Sequence, residues 1–165
     1  FVEHPEKIRY DIAYERAQDA LSRLVPEAKA ADVAIGIENV WNRFLLSPLE
    51  TRRFLDEIGS DYVGMYLDVG NAVYIGYPEQ WIEILGHRIK KLHMSDYRFD
   101  QAGIGAFVDL FAGDVDFPAV AKAIAGIGYD DYITLEMLPN YKQFPEVSLY
   151  ADKYAMNKII EMIHL

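Results

Sequence analysis

Apolar residues follow two repeating patterns along the chain. Over residues 6–31 they recur about every 3.6 positions, which predicts an amphipathic helix. Pro26 lies inside that pattern and predicts a kink or a helix boundary there. Short apolar runs rich in Val, Ile and Leu then alternate with further helical patterns, and such runs are typical of buried strands. The predicted strands are residues 33–38, 62–68, 89–93 and 132–136.

Helix signals separate these runs. Ser47 supplies an N-cap, Pro48 a first-turn proline and Glu50 an acid at the third helical position, which predicts a helix that ends at Gly59. Three more helices are predicted, near residues 78–85, from Pro118 to about residue 126, and over about residues 149–163. Residues 95–117 are expected to form a long connection. Alternating helices and strands predict a parallel sheet in an α/β fold.

Two architectures fit four strand–helix units: half of a (β/α)₈ barrel and a doubly wound open sheet. A closed (β/α)₈ barrel typically takes about 250 residues, so this chain of 165 residues is too short for one. A doubly wound open sheet is the rival, but the Gly-rich phosphate turn typical of that fold does not follow the first strand. We therefore expect half of a (β/α)₈ barrel, with residues 1–165 as a single domain. Because the chain opens on Phe rather than Met, we expect a piece of a longer protein.

Composition narrows the classes of partner. The net charge is −10, from 26 acidic and 16 basic residues, and such a surface repels the phosphate backbone of nucleic acids. No apolar stretch reaches the roughly 20 residues that a membrane span needs. The chain has no Cys, which removes disulfides and thiolate metal ligands, and we expect a cytoplasmic location.

Each predicted strand ends on a residue that can bind a divalent metal, namely Glu38, Asp68, His93 or Glu136. Taken alone, a carboxylate after a strand is usually a helix cap or a solvated group, and a single His is more often structural. Here all four strands end this way, and the carboxyl ends of parallel strands meet at one edge. Converging carboxylates repel one another unless a cation lies among them. The pattern therefore predicts a metal site.

Three carboxylates and one imidazole suit Mn²⁺, Mg²⁺, Co²⁺ or Zn²⁺. Structural zinc sites usually contain Cys, so a catalytic site with open positions is expected. Glu38 and Glu136 come from the first and last predicted strands and could flank a substrate, moving protons through an enediolate. Asn42 lies just past the first ligand and is a candidate for lining the pocket.

Five segments carry a resemblance to a known family: residues 36–44 (GIENVWNRF), 66–71 (YLDVGN), 91–96 (KLHMSD), 113–118 (GDVDFP) and 134–137 (TLEM). With them the chain resembles the C-terminal half of the xylose isomerase-like TIM barrels. It is most similar to the L-ribulose-5-phosphate 3-epimerase (hexulose-6-phosphate isomerase) and D-tagatose 3-epimerase branches. The N-terminal four strands of that family have no counterpart here.

The resemblance implies that Glu38, Asp68, His93 and Glu136 ligate the metal. Of the four metals that suit these ligands, we expect Mn²⁺. It also implies that Glu38 and Glu136 are the acid/base pair. Arg98 matches a substrate-contacting arginine of the family, and Asn71 stands where several relatives carry a substrate-binding histidine.

The sequence thus predicts a divalent-metal-dependent epimerase or isomerase of a ketose or ketose phosphate. An inosose dehydratase or a hydroxypyruvate isomerase of the same superfamily is an alternative. Another is an inactive half-barrel that binds metal or self-associates. Two open sheet edges and an uncovered inner face predict a homo-oligomer in either case.

Overall fold

A four-stranded parallel sheet forms the centre of the computed structural model, which describes residues 7–138 and 141–165. Its strands are, in order across the sheet, β1 (Ile35–Glu38), β2 (Val63–Asp68), β3 (Ile89–Met94) and β6 (Ile133–Leu135), and every neighbouring pair is parallel. The predicted α/β half-barrel is therefore confirmed.

Helices connect the strands and cover one face of the sheet. The sheet residues Leu67, Leu92 and Met94 are fully buried in a core shared with Phe54 and Ile124 from the helices. None of the helices in the described part of the chain is long and apolar enough to cross a membrane. The helices are α1 (Tyr10–Ala31), α2 (Pro48–Ile58), α3 (Val69–Ile75), α4 (Pro78–Leu85), α5 (Phe117–Gly126) and α6 (Glu146–Ile163).

The predicted caps of α2 are confirmed. The Ser47 side chain accepts a hydrogen bond from the Glu50 N–H at 3.2 Å, and Pro48 occupies the first turn. Gly59 ends the helix in the left-handed conformation, with φ of 65°. The cap residues therefore determine both ends of this helix, and β2 begins soon afterwards.

The sequence predicted a kink or a helix boundary at Pro26. The boundary is wrong, because helix α1 runs through the proline to Ala31. A proline leaves one carbonyl of the preceding turn without its helical partner. Ser22 and its next two neighbours are exposed, so water can satisfy that carbonyl. Glu6, the expected start of this helix, lies outside the described residues.

Several other boundaries differ from the sequence prediction, and one helix was not predicted. The first strand begins at Ile35 rather than Val33, and β3 continues to Met94. The last helix begins at Glu146 rather than near residue 149. Helix α3, starting directly after Asp68, was not predicted, because Val-Gly-Asn has no helical period.

The connection over residues 95–117 is more ordered than expected. It contains an antiparallel pair of short strands, β4 (Asp96–Tyr97) and β5 (Phe107–Val108). The buried Asp96 carboxylate accepts hydrogen bonds from the N–H groups of Tyr97, Gly113 and Val115, which closes the connection onto itself.

Candidate metal centre

The four residues predicted as metal ligands meet at the carboxyl edge of the sheet. Glu38 and Asp68 end β1 and β2, His93 is next to last in β3, and Glu136 directly follows β6. Each offers one ligand atom, and these atoms lie within 4.8 Å of one another. The structure thus brings all four together from four different strands.

His93 lies at the middle of this group. Its Nδ1 is 3.0 Å from Glu38 Oε1, 3.0 Å from Glu136 Oε2 and 3.9 Å from Asp68 Oδ2. The imidazole therefore presents one nitrogen to all three carboxylates. An imidazole nitrogen and carboxylate oxygens facing one point are a donor set for a divalent cation.

Electrostatics at Asp68 show why a cation fits here. This carboxylate is fully buried, and burial raises its pKa well above the usual value, with Glu136 adding to the rise. A buried negative charge beside another carboxylate is unfavourable unless it is protonated or neutralised. A divalent cation among the four ligand atoms would supply that neutralisation, so the residues present fit a bound metal.

Ser95 orients the Asp68 carboxylate and was not identified from the sequence. Its Oγ lies 2.9 and 3.0 Å from the two carboxylate oxygens and accepts a hydrogen bond from the Gly70 N–H at 3.1 Å. A Cβ at Gly70 would come within 2.4 Å of Ser95 Oγ, so only glycine leaves room for this arrangement. The Asn71 N–H also donates to Asp68, which caps α3.

Asn39 was likewise missed, although it directly follows Glu38. Its side-chain amide is buried and exchanges two hydrogen bonds with the backbone of Asp68. Two sequence signals could have pointed to Asn39: it stands beside a predicted ligand, and it lies in the segment 36–44 that carries the family resemblance. An Asn after a strand is otherwise typical of a turn.

The residues predicted to contact substrate have local partners. The Arg98 guanidinium donates to both carboxylate oxygens of Asp100, at 3.0 and 2.6 Å. Asn42 Oδ1 accepts from the Phe44 N–H at 3.0 Å, in its own loop. Asn71 contacts the site through its backbone N–H. Substrate binding by Arg98, Asn42 and Asn71 stays a prediction.

The comparison with protein families supplies an independent result. Residues 1–155 match the model of the xylose isomerase-like TIM barrel family. The L-ribulose 3-epimerase of Mesorhizobium japonicum is 27% identical over 128 residues, which are 74% of this chain and 40% of that protein. The chain thus spans about two fifths of the length of the curated relatives it matches.

Two solved structures share the fold. D-psicose 3-epimerase from Clostridium cellulolyticum H10, solved with D-tagatose, superposes with a TM-score of 0.79 at 14% identity, over 98% of this chain and 60% of that one. The IolI protein with a bound zinc atom superposes with a TM-score of 0.78 at 20% identity, over 96% of this chain and 60% of that one. Both likenesses show the fold alone. By its sequence match and its parallel half-barrel, the chain belongs to the xylose isomerase-like TIM barrel family.

Proposed function

We propose that this chain carries the metal site and the proton-transfer residues of a divalent-metal-dependent epimerase or isomerase of a ketose or ketose phosphate. The observation that carries the proposal is the convergence of Glu38, Asp68, His93 and Glu136, with ligand atoms within 4.8 Å of one another. The curated relative named L-ribulose 3-epimerase supports this reaction class. The reaction proposed is 3-epimerisation, as in L-ribulose-5-phosphate 3-epimerase.

The four converging residues would hold the cation, for which we propose Mn²⁺, with Zn²⁺, Mg²⁺ and Co²⁺ also compatible with the donor set. When bound, such a cation polarises a substrate carbonyl and so makes the hydrogen on the adjacent carbon more acidic. The division of roles within the group follows from exposure. The Asp68 side chain is 1% exposed, whereas those of Glu38 and Glu136 are 34% and 53% exposed.

Glu38 and Glu136 are therefore the two carboxylates that a substrate can reach. They belong to the two edge strands, or directly follow them, and lie on either side of the central His93. One glutamate oxygen takes the proton from C3 of the ketose, the C–H electron pair forms a C2–C3 double bond, and the C2 carbonyl pair moves to its oxygen. The other glutamate then donates a proton to C3 on the opposite face, which restores the carbonyl and inverts C3.

Solvent-deuterium exchange tests this function. The protein is incubated with MnCl₂ and a panel of ketoses and ketose phosphates in D₂O, and the products are followed by NMR. We expect the 3-epimer of one substrate to form with one deuterium at C3. Glu38→Gln and Glu136→Gln should each lower the rate by about 10²- to 10⁴-fold, whereas Glu83→Gln, on the exposed face of α4, should not. A manganese-loaded protein that yields no epimer and no deuterium would contradict the proposal.

A second candidate function is metal binding by a half-barrel that turns nothing over alone. This candidate is favoured because the chain matches only about two fifths of the length of its curated relatives. Strands β1 and β6 are edge strands of the four-stranded sheet in the described residues. Such edges favour pairing with a further chain, so we propose that the chain forms a homo-oligomer. Turnover separates the two candidates once sedimentation has shown the oligomeric state and metal analysis the metal content: a metal-loaded oligomer without turnover supports the second.

A further inference from the structure

The sheet face that carries the metal-site residues has another set of side chains two positions earlier along each strand. Side chains alternate between faces along a strand, so residues two apart share a face. Glycine occupies this position on β1, whereas the other three strands carry large or polar residues. The four positions hold Gly36, Tyr66, Lys91 and Thr134.

Tyr66 connects this set to the metal site. Its ring lies against the His93 imidazole, with centroids 4.0 Å apart and planes inclined by 42°. Its hydroxyl donates a hydrogen bond to Thr134 Oγ1 at 3.1 Å. Thr134 lies two residues before Glu136 in the chain. One tyrosine side chain on β2 therefore contacts the ligand histidine of β3 and is tied to the strand that precedes Glu136.

His93 has little else to set its orientation. Its Nδ1 faces the carboxylates, and Nε2 makes no hydrogen bond within residues 7–138 and 141–165. A metal-ligating histidine is usually oriented by a hydrogen bond to its second ring nitrogen. The Tyr66 ring is the aromatic group that the structure places against the face of this imidazole.

Gly36 provides the space for the Tyr66 ring. A Cβ at position 36 would lie 3.0 Å from Tyr66 Cβ, which is tighter than most Cβ contacts in proteins, and 3.4 Å from Tyr66 Cδ1. Gly36 is not among the glycines with positive φ, so the reason for glycine here is space rather than backbone conformation.

We propose that Tyr66 is a positioning residue for the metal centre: its ring sets the plane of the His93 imidazole, its hydroxyl is anchored by Thr134, and Gly36 makes room for it. This inference rests on the proposed function, because it presumes that His93 ligates a cation. The positioning role concerns metal affinity and is therefore measurable without substrate.

Calorimetric titration with MnCl₂ tests the role. Tyr66→Leu removes the ring and should weaken Mn²⁺ binding by about 10- to 100-fold, as loss of an orienting group does. Tyr66→Phe keeps the ring and should retain most of the affinity. Tyr62→Leu is the matched control, since Tyr62 is also half-buried and bonds to Asp32 at the other end of the strand. Its titration should match that of the unchanged protein.

Gly36→Ala provides a milder change in case Tyr66→Leu unfolds. The added methyl should push the Tyr66 side chain away from His93 and weaken Mn²⁺ binding in the otherwise unchanged protein. Equal affinity in Tyr66→Leu and Tyr62→Leu would overturn the positioning role while leaving the metal site intact. Absence of Mn²⁺ binding in the unchanged protein would instead overturn the proposed function, and this inference with it.

Discussion

The side-chain amide of Asn39 pairs with the backbone of Asp68 through two hydrogen bonds. Asn39 Nδ2 donates to the Asp68 carbonyl at 2.8 Å, and the Asp68 N–H donates to Asn39 Oδ1 at 2.8 Å. These two hydrogen bonds continue the pairing of β1 with β2 one residue past the end of β1, with a side-chain amide in place of the backbone. Because Asn39 adjoins Glu38, the same contact fixes the spacing between two of the four converging residues.

Asn39→Ala should therefore lower both stability and metal affinity. It leaves the N–H and C=O of Asp68 without their partner in a buried place, at a cost of about 1–3 kcal/mol in the free energy of unfolding. Urea unfolding measures that loss, and MnCl₂ titration the affinity. Thr51→Val is the matched control, because buried Thr51 donates one hydrogen bond to Ser47 O at 3.0 Å, away from the site. A loss of stability in both variants with unchanged affinity in Asn39→Ala would contradict the role of Asn39.

Asp68→Asn should make the metal-free protein more stable at neutral pH. Burial raises the pKa of Asp68 in the folded state above the ordinary value of 3.8, so the folded state holds this proton more tightly than the unfolded state does. Stability therefore falls as pH rises from the unfolded pKa toward the folded pKa, and it stays low above that. The amide carries no charge and avoids this loss.

Urea unfolding at pH 4 and pH 7 in EDTA checks the prediction. The advantage of Asp68→Asn should be large at pH 7 and should shrink toward pH 4, because the stability lost to the raised pKa of Asp68 returns as the pH falls toward the ordinary value. Saturating MnCl₂ should reverse the order at pH 7, since only the unchanged protein gains stability from the cation. An advantage that is equal at both pH values would contradict this account of Asp68.

Gly113→Ala should destabilise the connection between β3 and α5. A Cβ at this position would fall within 2.2 Å of Asp96 Oδ1 and 2.7 Å of the Tyr97 carbonyl. Because Asp96 is fully buried and bonded to three backbone N–H groups, it has no room to move. We expect a loss of about 1–3 kcal/mol, the usual cost of overpacking.

The control for this substitution is Gly105→Ala in the same connection. An added Cβ there meets nothing within 4 Å, and Gly105 is not among the glycines with positive φ. Thermal unfolding of the two variants should therefore differ clearly. Equal melting temperatures would show that Asp96 does not hold the connection rigidly.

The sheet and the four converging residues could be predicted from the sequence for one reason. Both depend on local order along the chain, since apolar runs mark the strands and the run ends mark the edge where side chains meet. The roles of Asn39, Ser95 and Tyr66 could not be predicted in the same way. Each acts on a residue of another strand, and that pairing depends on strand register and on the curvature of the sheet.

Helix α3 shows a different limit of sequence reasoning. Asp68 is both the end of a strand and the N-cap of the helix that follows, so the two elements meet without a loop. Residues 69–71 carry no helical period, and the only helix signal was the capping ability of Asp68 itself. That same carboxylate was already assigned to the metal.

Titration of the metal-free protein with MnCl₂ tests the central claim most directly. We expect one Mn²⁺ per chain for the unchanged protein and no measurable binding for His93→Leu. The matched control is His87→Leu, because His87 is exposed and lies in the turn before β3, and it should bind one Mn²⁺ as well. Equal binding by His93→Leu and His87→Leu, or no binding by the unchanged protein, would contradict the claim that Glu38, Asp68, His93 and Glu136 form a metal centre.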